Sequence, residues 1–106
     1  MKINIEKIKN NGYNFEDYVL KELDNPEFQK EYLNQALQEY INDGDFNLFF
    51  KSLERVIKSR ESVSAFANKV SIDRTNLYSI FNGKKIPRMD TIAKILKELG
   101  YSLKVA

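Results

Sequence analysis

The sequence predicts an all-α domain of five to six helices closed by a short C-terminal β-strand. Three observations lead there. Apolar residues recur at three- and four-residue spacing over most of the chain, the mark of one-sided burial in a helix. Capping residues separate these periodic segments: Asn25-Pro26, Asp43-Gly44-Asp45, Ser62, Asp73, Asn82-Gly83 and Gly100. Alternation is confined to the two ends, around Ile3 and Ile5 and from Tyr101 to Val105.

The first twelve residues alternate briefly and then meet Asn10-Asn11-Gly12, a turn signal, so 1–12 reads as an arm or short strand. Asn14 is placed to cap a helix to about Asp24. Its first turn carries Glu16 and Asp17, which suit the positive end of a helix dipole, and its apolar face is Phe15, Tyr18, Val19 and Leu23. Asn25 then caps a second helix with Pro26 at its first position, where no N–H is needed. Its expected stripe is Phe28, Tyr32, Leu33, Ala36, Leu37, Tyr40 and Ile41. Asp45 caps the next helix, with Phe46, Phe49, Phe50, Leu53, Val56 and Ile57 facing inward and Lys51, Arg55 and Lys58 away from them. Two short helices follow. Ser62 caps one that buries Phe66, Ala67 and Val70. Ser71-Ile72 turns the chain, and Asp73 caps one that buries Leu77 and Ile80. Pro87 opens the last helix, whose stripe is Met89, Ile92, Ile95, Leu96 and Leu99, and Gly100 stops it. The terminal strand needs a partner, either a symmetry mate through Tyr101, Leu103 and Val105 or Ile3-Asn4-Ile5 of the same chain.

Composition narrows the chemistry. The 106 residues contain no histidine and no cysteine. That removes the commonest general base, the commonest metal ligand, disulfides and thiolate sites. No local constellation of Asp, Glu, Lys or Tyr suggests an active site, so no enzyme activity, metal or cofactor is expected. Apolar runs such as Leu48-Phe49-Phe50 fall short of the ~20 residues of a membrane span or the ~7–15 of a signal peptide, so a cytoplasmic protein is expected. The net charge of +2 hides an asymmetry. Residues 1–50 hold five lysines against ten carboxylates, −5, and residues 51–106 hold twelve Lys or Arg against five, +7. Such a division points to two different partners, or simply to uneven solvated faces.

The region from Ser62 to Arg88 has the layout of a helix-turn-helix, which sets its second helix into a DNA major groove. With Leu77 and Ile80 buried, the opposite face offers Arg74, Thr75, Asn76, Tyr78 and Ser79. Asn can bond adenine in bidentate fashion, Arg can bond guanine, and Thr can bond a base edge or touch a thymine methyl. Lys84, Lys85 and Arg88 follow in the next loop, and Lys69 and Ser62 flank the first helix; these suit phosphates, which fix register without reading sequence. The plainer alternative is a helical hairpin with a solvated polar face.

These residues resemble the Cro/phage-repressor type of helix-turn-helix. Ala67 stands inside the first helix, Ile72 after the turn, Leu77 in the second helix, and Gly83-Lys84-Lys85-Ile86-Pro87 matches the closing Gly-Lys-x-x-Pro. Two positions depart. Arg88 stands where a Ser or Thr cap usually follows the Pro, and Ser71 where the turn usually has Gly. A left-handed Ser71 costs roughly 1–2 kcal/mol, and a differently shaped turn is the alternative.

From about Tyr13 to Val105 the order of motifs is similar to the HigA-type probable addiction module antidote proteins: Asn25-Pro26-Glu27, Tyr32-Leu33, Ala36-Leu37, Gly44-Asp45, the two-helix unit, and Leu99-Gly100-Tyr101-Ser102-Leu103-Lys104-Val105. That resemblance implies an antitoxin of a type II toxin–antitoxin module. Such a protein binds a small basic toxin of the RelE/ParE superfamily (HigB-like) and represses its own operon, as a homodimer on operator DNA. The domain plan is then an arm at 1–12, an acidic toxin-binding region at 13–42, and a DNA-binding region at 43–106. Glu16, Asp17, Glu22, Glu27, Glu31 and Glu39 are the candidate toxin contacts, because acidic helices complement a basic partner. A free-standing regulator without a toxin, or an interaction module that no longer binds DNA, are the competing readings.

Overall fold

The computed structural model describes residues 21–102. Five helices form there: α1 (Pro26–Asp43), α2 (Phe46–Arg60), α3 (Val63–Val70), α4 (Arg74–Phe81) and α5 (Met89–Leu99). The expected N-terminal arm and most of the helix expected from Asn14 lie outside the described residues, as do Glu16 and Asp17. Lys21 and Glu22 are helical, and the chain then turns, with the Asn25 N–H on the Glu22 carbonyl at 3.0 Å.

The cap residues act as their positions in the sequence require. The Asn25 side chain accepts from the N–H groups of Glu27 (2.9 Å) and Phe28 (3.3 Å), with Pro26 at the first helical position. Phe28, Tyr32, Leu33 and Ala36 are buried along the face of α1 that packs on α2. Ile41, expected to extend this stripe, is instead 66% exposed. Tyr40 fills the available space, with ring contacts to Phe46 at 6.4 Å and Phe49 at 6.3 Å. Ile41 lies a further ~100° around the helix and faces outward. Gly44, at φ 72°, ends α1 through its N–H on the Tyr40 carbonyl.

α2 is the central element, touching α1, α3 and α4. Phe49, Phe50, Leu53, Val56 and Ile57 are buried in the core that all five helices share. α5 closes the other side of α3 with Ile92, Ile95, Leu96 and Leu99. Met89, expected in that stripe, is 69% exposed. The helix begins at Met89 itself, one residue after an Arg88 cap that makes no side-chain bond, so Met89 projects beyond the packed turns.

No strand forms among the described residues. Tyr101, expected to open one, instead seals the end of α5. Its N–H reaches the Leu96 carbonyl at 2.8 Å and the N–H of Gly100 reaches Lys97 at 3.0 Å, with Gly100 at φ 91°. This is a Schellman closure, which satisfies carbonyls that would otherwise be left open. Leu103 and Val105 lie outside the described residues. No helix among those described is long and apolar enough to cross a membrane.

Candidate nucleic-acid interface

The two short helices are held at both ends by their own sequence. The Ser62 hydroxyl accepts from the Ala65 N–H at 3.1 Å, and the Asp73 carboxylate from the Thr75 N–H at 2.7 Å. Between the helices, Ser71 adopts φ 55°, ψ 41°. Its N–H bonds the Asn68 carbonyl and that of Ile72 bonds Ala67. The turn therefore has the regular left-handed shape without glycine, and Ser71 carries the conformational cost. Val63, Phe66, Ala67 and Val70 from α3, with Leu77, Ile80 and Phe81 from α4, lock the pair onto the core.

That packing sorts the α4 residues. Arg74, Thr75 and Asn76 are exposed, whereas Tyr78 and Ser79 are half-buried. The Tyr78 ring meets Phe81 edge-on at 6.1 Å, and two cations lie over it: Lys58 Nζ at 5.7 Å and the Arg74 guanidinium carbon at 5.4 Å from its centre. The carbonyl of Ser79 accepts from the N–H groups of both Lys84 and Lys85, at 2.9 and 3.1 Å, so the basic loop is tied to the end of α4. Gly83, at φ 74°, turns the chain there and lies so close to Asn47 that a Cβ would fall on that side chain. Lys51 on α2 fixes the same loop by donating to the Asn82 side chain at 3.1 Å.

The cations differ in what already occupies them. Lys69 is bound to Glu61 at 2.8 Å, and this hydrogen bond holds its ammonium above the ordinary lysine value. Arg88 pairs with Asp90 at 3.3 Å, both well exposed. Lys51 and Lys58 share the Glu54 carboxylate, each at 3.1 Å. Burial pushes that carboxyl up, but the two ammonium groups and their charges outweigh it and bring it below the usual value. Arg74, Lys84 and Lys85 make no ion pair among the described residues. An open depression of about 370 Å³ lies beside the N-terminus of α3, lined by Lys58, Glu61, Ser62, Val63, Ser64, Arg74 and Tyr78.

The acidic candidates gather elsewhere. Glu27 and Glu39 are exposed on α1, and Glu22 and Glu31 are half-buried.

A sequence-family model described as "Probable addiction module antidote protein" matches residues 13–106. The chain belongs to that family. No curated protein and no solved structure matches it. The match spans all of the described residues, α1 to α5 included.

Two features of the antidote escaped the sequence reading. One is the Glu54 triad with Lys51 and Lys58, whose signal was the i, i+3 and i, i+4 spacing on α2. The other is Arg60, which donates to Gln29 Oε1 (2.8 and 3.2 Å) and to the Leu99 carbonyl (2.7 Å), with the Tyr101 ring 5.7 Å away. Its partners lie 31 to 41 positions away in the chain, beyond what local pattern can show.

Proposed function

We propose that this antidote is a HigA-type antitoxin. It neutralises a small basic toxin of the RelE/ParE superfamily by direct binding and represses its own operon as a homodimer on operator DNA. In this reading α3 and α4 are a Cro/repressor-type helix-turn-helix. α4 lies in the major groove, with Thr75 and Asn76 at base edges beside Arg74, Tyr78 and Ser79. Lys84, Lys85 and Arg88 grip the flanking phosphates, joined by Ser62 and by Lys69 once it leaves Glu61. One helix-turn-helix reads only a few base pairs, so two copies are needed for useful specificity. The toxin contacts are the acidic residues Glu16, Asp17, Glu22, Glu27, Glu31 and Glu39.

The observation that carries the DNA half is the surface of α4. Three exposed hydrogen-bonding side chains, Arg74, Thr75 and Asn76, open α4, and the unpaired cations Lys84 and Lys85 follow its other end, on a helix pair locked into the core. Family membership supports the toxin half.

The test combines the antidote, the product of the adjacent gene, and a duplex from the antidote's own upstream region. The antidote should bind the duplex in fluorescence anisotropy, with affinity falling steeply as salt rises. The double change Thr75→Ala plus Asn76→Ala should abolish its preference over a scrambled duplex. Co-expression with the neighbouring product should yield a complex by native mass measurement. A bound duplex without such a complex would leave a free-standing regulator in its place.

A further inference from the structure

Lys58 and Arg74 come from different helices, α2 and α4, yet both lie over one aromatic ring. Cations gather on an aromatic face because its quadrupole is negative there. Two like charges brought to one ring still repel each other, and the two carboxylates near this cluster are outnumbered by the four cations around them, Lys51, Lys58, Lys69 and Arg74. Glu54 is shared between Lys51 and Lys58, and Glu61 holds Lys69. Arg74 has no carboxylate partner among the described residues. The two cations line the same open depression, with the hydroxyl residues Ser62 and Ser64 along its rim. The site therefore has surplus positive charge, hydroxyl donors and an aromatic floor. Its geometry suits a compact anion whose oxygens spread over several donors.

Resting on the DNA-binding reading above, we propose that Lys58 and Arg74 together form a seat for one phosphate of the DNA backbone, and that Tyr78 is the positioning residue that holds them there. This divides the labour along α4. Arg74 and Tyr78 belong to the backbone grip, and sequence reading falls to Thr75, Asn76 and Ser79. Lys58, on a helix that would otherwise only buttress the unit, becomes a DNA contact. The Tyr78 ring, half-buried against Phe81, is spoken for by the cations and does not reach for a base.

A phosphate contact and a base contact leave different signatures. Losing a phosphate contact weakens binding to every sequence alike and lowers the log–log salt slope by about one; losing a base contact relaxes specificity. Lys58→Gln, Arg74→Gln, Tyr78→Phe and Tyr78→Leu are compared with wild type by anisotropy, on the upstream duplex and on a scrambled one of equal composition, across a salt series. Circular dichroism checks each fold. Lys58→Gln and Arg74→Gln, at exposed positions, should each weaken both duplexes by the same factor and each lower the slope by about one. Tyr78→Phe keeps the ring and should match wild type, whereas Tyr78→Leu should lower the slope as Arg74→Gln does. A collapsed upstream-to-scrambled ratio with unchanged slope in Arg74→Gln would make Arg74 a base reader and overturn the proposal. So would an unchanged slope in Lys58→Gln. If wild type binds neither duplex, the DNA-binding reading fails first and the seat falls with it.

Discussion

At Ser71 the backbone takes a conformation that favours glycine, φ 55°, because the two-helix turn demands it and not because the side chain does. The residue is exposed, so replacing it costs no packing. Ser71→Gly removes the left-handed penalty and returns some unfolded-state entropy, the two effects opposing each other. The variant should be more stable by about 1 kcal/mol, read as a raised midpoint in urea with an unchanged slope. Glu54 is the other residue whose chemistry reaches beyond its own position. Its carboxyl sits below the usual value in the folded state, where Lys51 and Lys58 favour the charged form. A depressed folded value means that its contribution is present above the ordinary carboxylate range and is lost as pH falls through the folded value. Glu54→Gln should therefore be less stable than wild type at pH 7, by about 1 kcal/mol, since both lysines are about half exposed. That gap should close when the same urea melts are run near pH 3, and a gap of equal size at both values would mean the triad is not its source.

Among the elements, the ends of helices were the part most legible in the sequence. Asn25, Asp45, Ser62 and Asp73 each cap the helix they were expected to cap, because a side-chain oxygen and a backbone N–H two or three positions on need nothing else from the fold. The ends of the apolar stripes were not legible. Ile41 and Met89 fit the helical period yet are exposed: Tyr40 already fills the space beside α2 and Ile41 faces outward next to it, while Met89 opens α5 ahead of its packed turns, and period shows neither. Of the α4 surface, the exposure of Arg74, Thr75 and Asn76 followed from burying Leu77 and Ile80. The capture of Tyr78 by Lys58 did not follow, because it depends on how α2 crosses α4. The end of α4 gives a test at this scale. Gly83→Ala meets both a left-handed backbone and the Asn47 side chain. Asn47 is exposed and its amide can swing away, so the backbone cost dominates, about 1–2 kcal/mol. The double change Asn47→Ala plus Gly83→Ala should then recover little stability in thermal melts. Full recovery would place the cost in the contact instead.

Over the whole molecule, charge and packing divide differently. The surplus of acidic residues lies before residue 50 and the surplus of cations after it. The core ignores that border, since Phe28, Tyr32, Leu33 and Ala36 of α1 share one buried cluster with Phe49, Phe50 and Leu53 of α2. Arg60 reinforces the join by bonding Gln29 on α1 and the last carbonyl of α5 at once. Cutting the chain before α2 would uncover that cluster, so a truncation cannot separate toxin binding from folding. Charge reversal on the exposed face can. Glu27 and Glu39 are exposed and no ion pair holds either among the described residues, so Glu27→Lys plus Glu39→Lys should cost about 1 kcal/mol of stability in thermal melts, most of it from reversing the charge of Glu27 in the first turn of α1. If the acidic helix steers a basic toxin, the main effect falls on the association rate, because rim charges act on encounter more than on residence. The reversed protein should then associate with the purified neighbouring gene product at least about tenfold more slowly at low salt, with the difference shrinking as salt screens it. Its affinity for the upstream duplex should stay at or slightly above the wild-type value, because four units of added positive charge favour DNA. Equal association rates for the two proteins at low salt would move the toxin contact away from this face of α1.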